Sequence, residues 1–107
     1  MNAINSSAVY DLAGLVEYQA GSVVSKEIIA KPTGTMTIFA FDAGQGLSEH
    51  KAPFDAVVHV LDGQAEVTID GRLFQVGQGQ MIILPAGIAH SIKAVLRFKM
   101  ALIMIRS

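Results

Sequence analysis

The sequence predicts an all-β barrel or jelly roll, and three observations carry that expectation. Short apolar or alternating runs recur at spacings of about 8–12 residues, the rhythm of a sandwich or barrel. Glycine punctuates them, and Asp62-Gly63 and Asp70-Gly71 sit beside alternating runs, the composition of tight hairpin turns. Helical spacing is weak and confined to Leu12, Leu15 and Val16, where Gly14 interrupts it.

Taken in order, residues 1–21 read as a lead-in containing a short turn or helix, and residues 22–107 as the barrel, all within a single domain. Ser22 to Ala30 is β-branched with Lys26-Glu27 between, a strand at an edge or reaching onto a partner subunit. Lys31-Pro32-Thr33-Gly34 is a turn. Thr35 to Phe41 and Ala56 to Leu61 follow as strands apolar on both faces, so both faces should be covered. Asp42 to Gly46 reads as a loop. Hairpins at Asp62-Gly63 and Asp70-Gly71 then connect Ala65–Ile69 and Arg72–Val76. Met81–Leu84 is a short apolar strand broken by Pro85-Ala86-Gly87, and extended runs at 90–95 and 97–105 close the chain.

Composition limits the function classes. Of the 107 residues, 51% are hydrophobic and 16% charged, more apolar surface than a small monomer easily hides, which points to a homodimer. A net charge of −1 without blocks of like charge gives no reason to expect nucleic acid or an anionic membrane as partner. With no cysteine, disulfides, thiolate nucleophiles and thiolate metal sites are excluded. Met1–Ser7 lacks a basic segment followed by an apolar run, and no stretch reaches 18 apolar residues, so the expected compartment is the cytoplasm. Gly44-Gln45-Gly46 and Gly77-Gln78-Gly79 lack the third glycine and the helix of a nucleotide-binding turn. Ser48 lies near His50 but outside any nucleophile-elbow setting.

Two segments carry a resemblance. Gly44-x5-His50 leading to a strand that ends at Gly63, and Gly79-x5-Pro85-x-Gly87-x2-His90, resemble the two signature segments of the cupin superfamily. The second is the more specific, and the whole resembles small single-domain bacterial cupins of the RmlC-like type. The resemblance implies a double-stranded β-helix (jelly-roll) barrel. It also implies a metal site built from an H-x-H pair, a Glu and the His of the second segment. His50 and His90 keep the first and last positions, whereas Ala52 and Ala56 stand where the second His and the Glu would be. Two imidazoles alone hold iron, manganese, nickel or zinc weakly, because a non-haem centre needs about three protein ligands.

His59 is the possible third ligand. Alternation places Ala56, Val58 and Val60 on the cavity side and His59 on the other, unless a bulge near Pro53-Phe54-Asp55 shifts the parity. Glu49 and Asp55 lie off the face of His50 and read as solvated acids. The cavity itself is expected to draw on Met36, Ile38, Val58, Val60, Met81 and Ile83, with Met100, Leu102 and Met104 from the last strand, while Phe39 and Phe41 face away from it. Methionine at such positions is usually core filler. Three functions follow as expectations. One is a non-catalytic or weakly metal-binding pocket for a small-molecule ligand, lined by His50 and His90. The second is a metal-dependent oxygenase- or isomerase-like enzyme using His50, His90 and His59. The third is an interaction module with a vestigial pocket.

Overall fold

The computed structural model describes residues 4–106; the first three residues of the lead-in and residue 107 lie outside the described residues. Among the described residues nine strands form two antiparallel sheets stacked as a jelly roll. They are β1 (Val23–Lys31), β2 (Gly34–Phe41), β3 (Gly46–His50), β4 (Asp55–Asp62) and β5 (Gln64–Ile69), then β6 (Arg72–Gly77), β7 (Met81–Leu84), β8 (His90–Lys93) and β9 (Phe98–Ile105). One sheet has the order β1-β2-β9-β4-β7 and the other β3-β8-β5-β6. A 3-10 helix at Leu12–Leu15 occupies the lead-in, and no helix among the described residues is long and apolar enough to cross a membrane.

The core fills the space between the sheets. Phe41 and Phe98 stack with ring centroids 4.6 Å apart, and Phe39 stacks on Phe41 at 5.7 Å. Val58, Val60, Val67 and Met100 pack around them, fully buried. A second, smaller cluster lies outside the five-stranded sheet, where Val16 and half-buried Leu12 and Tyr18 of the lead-in cover Ile38, Ala40 and Ala101. Polar contacts hold the lead-in there. The Tyr18 hydroxyl donates to Asp62 at 2.5 Å, and Lys99 donates to the Ala13 carbonyl at 2.6 Å. The Arg97 guanidinium stacks 4.7 Å over the Tyr18 ring. Burial, and then the bond to Asp62, raise the Tyr18 phenol well above its ordinary range, so it stays a donor.

Two of the expected facings are reversed. Met36 and Ile38 belong to the outer cluster, while Phe39 and Phe41 point between the sheets. Met81 and Ile83 lie on the exposed outer surface, and Ile82 and Leu84 point inward. Both strands are apolar on both sides, so alternation cannot choose the phase; the three-ring stack, which only the inter-sheet space can hold, decides it for β2. Gly46, expected at the end of a loop, and residues 47–50, given no element from the sequence, form strand β3.

Candidate functional site

The site lies at one end of the barrel, where β3 and β8 run side by side. His50 and His90 are direct cross-strand partners, and so are Leu47 and Ile92. Three residue steps on β3 therefore match two on β8, an irregularity that brings both Leu47 and His50 to the inner face. Gly46 allows the approach: a Cβ there would overlap the Ile92 carbonyl oxygen, so a larger residue would push β3 away from β8. The loops carrying the two histidines are tied together as well. The Gly87 amide donates to the Ala52 carbonyl at 2.7 Å, and the Ala86 amide to an Asp55 carboxylate oxygen at 2.8 Å. Asp55 is thus a loop pin, and Glu49 is exposed on β3.

The rings of His50 and His90 meet edge to face, with centroids 4.4 Å apart and Nε2 atoms 3.1 Å apart. Each Nδ1 faces a carbonyl two residues earlier in its own chain: Ser48 at 2.8 Å for His50 and Ile88 at 3.2 Å for His90. A carbonyl oxygen only accepts, so each Nδ1 carries a proton and the two Nε2 atoms turn toward each other at hydrogen-bonding distance. Two lone pairs at this distance repel unless a proton or a cation joins them.

His90 is 5% exposed, whereas His50 sits at the mouth in contact with solvent. Burial, followed by the neighbouring His50, holds His90 below the usual imidazole range, and the bond to the Ile88 carbonyl opposes this only in part. In the unfolded chain His90 takes its proton near the ordinary pKa of about 6.5. The folded state therefore binds fewer protons just below that pH, and stability there falls as pH falls. Thermal denaturation should show no contribution from His90 above that pH and a declining melting temperature below it. The corresponding part of the decline should be absent in His90→Gln.

Beyond the histidines the cavity is walled by Ala56, Leu84, Leu102 and Met104 of the five-stranded sheet and by Leu47 and Ile92 of the four-stranded sheet, with Ala52 from the loop between β3 and β4. It measures about 40 Å³. That is space for roughly two or three water molecules, so a larger guest must displace flexible side chains such as Met104 or Leu102. Of the residues expected to line it, His50, His90, Leu102 and Met104 do so. Val58 and Val60 point inward but lie deeper in the core, and Met36, Ile38, Met81 and Ile83 are on the opposite face of their sheet. His59 is also on that opposite face, paired with Met81 and Ala101. The bulge that would have turned it inward is missing from the start of β4; the irregularity falls at the far end, between Val60 and Asp62. Leu47, Leu84 and Ile92 were not anticipated, although Ile92 could have been found two residues beyond His90 on the same strand face.

A resident metal does not fit this donor set. Among the described residues there is no group of three His, Cys, Asp or Glu side chains able to hold an ion. Alanine at 52 and 56 gives the cavity wall no further ligand.

Fold and site together define a small jelly-roll barrel with a paired-histidine pocket at one end. The chain belongs to the cupin family: residues 37–106 match Cupin_2, the cupin domain. It is similar to a conserved protein of unknown function from Streptococcus pyogenes, at 35% identity and a TM-score of 0.91, covering 100% of this chain and 96% of that one. A cupin 2 conserved barrel domain protein from Leptotrichia buccalis is 46% identical with a TM-score of 0.88, over 91% of this chain and 47% of that one. An uncharacterized protein of Streptomyces coelicolor is 36% identical over 53 residues, half of each chain. The chain thus spans about half the length of the Leptotrichia chain, and the Streptomyces match covers half of that relative.

Proposed function

We propose that this chain is a non-catalytic cupin that binds a small, mostly apolar molecule through one polar group held by His50 and His90. The observation that carries this reading is the convergence of two imidazole Nε2 atoms, 3.1 Å apart, on a cavity whose remaining walls are apolar. A ligand hydroxyl or carboxyl group hydrogen-bonds to the pair from the cavity side. Low-volume guests are favoured, since the cavity opens only by side-chain movement. The metal-enzyme reading depended on His59, which faces the other way.

The test has two arms. Ligand-observed NMR with a panel of small aliphatic and aromatic alcohols and carboxylic acids should find binders. Their affinity should fall about tenfold in His90→Ala, the effect of leaving a buried hydrogen-bonding group of the ligand unsatisfied. Ala52→Phe, which blocks the mouth, should abolish binding without unfolding the barrel. In the second arm, protein purified without an affinity tag is assayed for metal. Near-stoichiometric iron, manganese, nickel or zinc that disappears in His50→Ala overturns the proposal.

A further inference from the structure

Two of the cavity walls, Leu102 and Met104, have a threonine for a neighbour. The register of β2 against β9 sets Thr37 opposite Leu102 and Thr35 opposite Met104, on the inner face that also carries Phe39 and Phe41. At this end of the five-stranded sheet the inner row runs Ala30–Thr35–Met104–Ala56–Leu84. Met104, Ala56 and Leu84 wall the histidine cavity, so Met104 stands between that cavity and Thr35. The Thr35 hydroxyl is odd in one respect. Its Oγ1 is sealed from solvent and has no hydrogen-bond partner among the described residues. Nearly all buried hydroxyls in folded chains are paired, because an unpaired one destabilises. Valine has much the same shape and suits a strand at least as well, so neither packing nor β-propensity calls for a hydroxyl here.

We propose that Met104 is a gate and Thr35 the second polar contact of the pocket, so that the bound molecule is an unbranched aliphatic chain with a hydroxyl at each end. The inference rests on the reading of His50 and His90 as the anchor of the first polar group. The closed cavity, about 40 Å³, holds no such chain, so a wall must move. Met104 is the wall best able to do so. Its thioether chain is unbranched, and it is the last inward-facing residue of β9, at the end of the barrel where the site lies. Moving it aside extends the cavity along the inner row toward Thr35. Ala56 and Thr35 lie two strands apart, about 10 Å, and that spacing sets the length of the chain. One hydroxyl meets the histidine pair, and the other gives Thr35 Oγ1 the partner it lacks. A neutral hydroxyl suits this depth, because a carboxylate would give up far more hydration.

The test titrates the protein with the terminal diols butanediol, hexanediol and octanediol, each against the primary alcohol of the same length. Wild-type protein should bind hexanediol or octanediol about tenfold more tightly than the matching alcohol, the effect of one hydrogen bond to an otherwise unpaired group. Butanediol, too short to reach, should show no advantage over butanol. In Thr35→Val the advantage should vanish with alcohol affinity unchanged, and the urea midpoint of the free protein should rise. The Met104 methyl resonance of the wild-type protein should shift as the longer diols bind. An advantage that persists in Thr35→Val, no advantage at any length, or an unmoved Met104 methyl overturns the proposal. So does a lowered midpoint in Thr35→Val, which would give the hydroxyl a structural partner. His90→Ala separates the two levels of failure. If the alcohols lose affinity there, the histidine anchor stands and the Thr35 contact alone falls; if they bind equally well without His90, or none binds, both readings fall.

Discussion

Replacing Ala52 with His and Ala56 with Glu should turn this chain into a protein that retains one divalent transition metal ion per chain. Both alanines line the cavity that His50 and His90 enter, so the new side chains are delivered to the existing pair. The two imidazoles already have the arrangement an ion requires, with each Nδ1 held by a backbone carbonyl and the Nε2 atoms turned to one point. Their 3.1 Å separation matches two ligands, each about 2.0–2.1 Å from a shared ion, in neighbouring coordination positions. What is missing is donor number. Adding an imidazole and a carboxylate should raise affinity for zinc or manganese on the order of a hundredfold or more, read by calorimetry and by metal retained after dialysis. Ala52→His alone should give an intermediate effect. Failure of the double variant to gain affinity while remaining folded would show that the two wall positions do not point at the pair.

The second large effect is on stability. Phe98 is fully buried, stacks on Phe41 and lies beside Gly63, where any Cβ would come within 2.5 Å of the Arg97 carbonyl oxygen. The backbone is packed too closely there to collapse into a void. Phe98→Ala should therefore cost about 3–5 kcal/mol. That is a large part of the roughly 5–15 kcal/mol that holds a typical domain together. Urea titration should show a midpoint shifted far downward or no folded baseline at all. Leu73→Ala, at an exposed position on β6, should stay within about 0.5 kcal/mol of the parent chain. Similar midpoints for the two variants would contradict the assignment of the ring stack as the centre of the core.

How much of this was legible in the sequence varies with the kind of signal. Asp62-Gly63 and Asp70-Gly71 marked hairpins because their turns need a backbone that few residues adopt; Gly63, Asp70 and Gly71 all have positive φ. Pro85-x-Gly87-x2-His90 marked the second half of the pocket, and the alanines at 52 and 56 announced the loss of ligands. The phase of β2 and β7 was not legible. A strand apolar on both sides has no polar residue to declare which side meets water. In β4 the alternation was read in the right phase because the resemblance anchored Ala56. Strand β3 was hidden by its own composition: Gly46, Ser48 and Glu49 leave Leu47 as its one aliphatic residue, and its irregular register breaks the period of two.

Each histidine of the pair is aimed by a carbonyl two residues earlier in its own strand or loop and by the ring of the other histidine. The aim of the rings is therefore a property of two tripeptides, Ser48–His50 and Ile88–His90, and of the register that sets them opposite one another. Such a pair can outlast the loss of every other ligand around it. The same wiring runs outward as well. A guest that turns either ring must loosen a bond to the main chain at Ser48 or Ile88, so occupancy of the pocket would be felt as a change in tension along the rim of the four-stranded sheet.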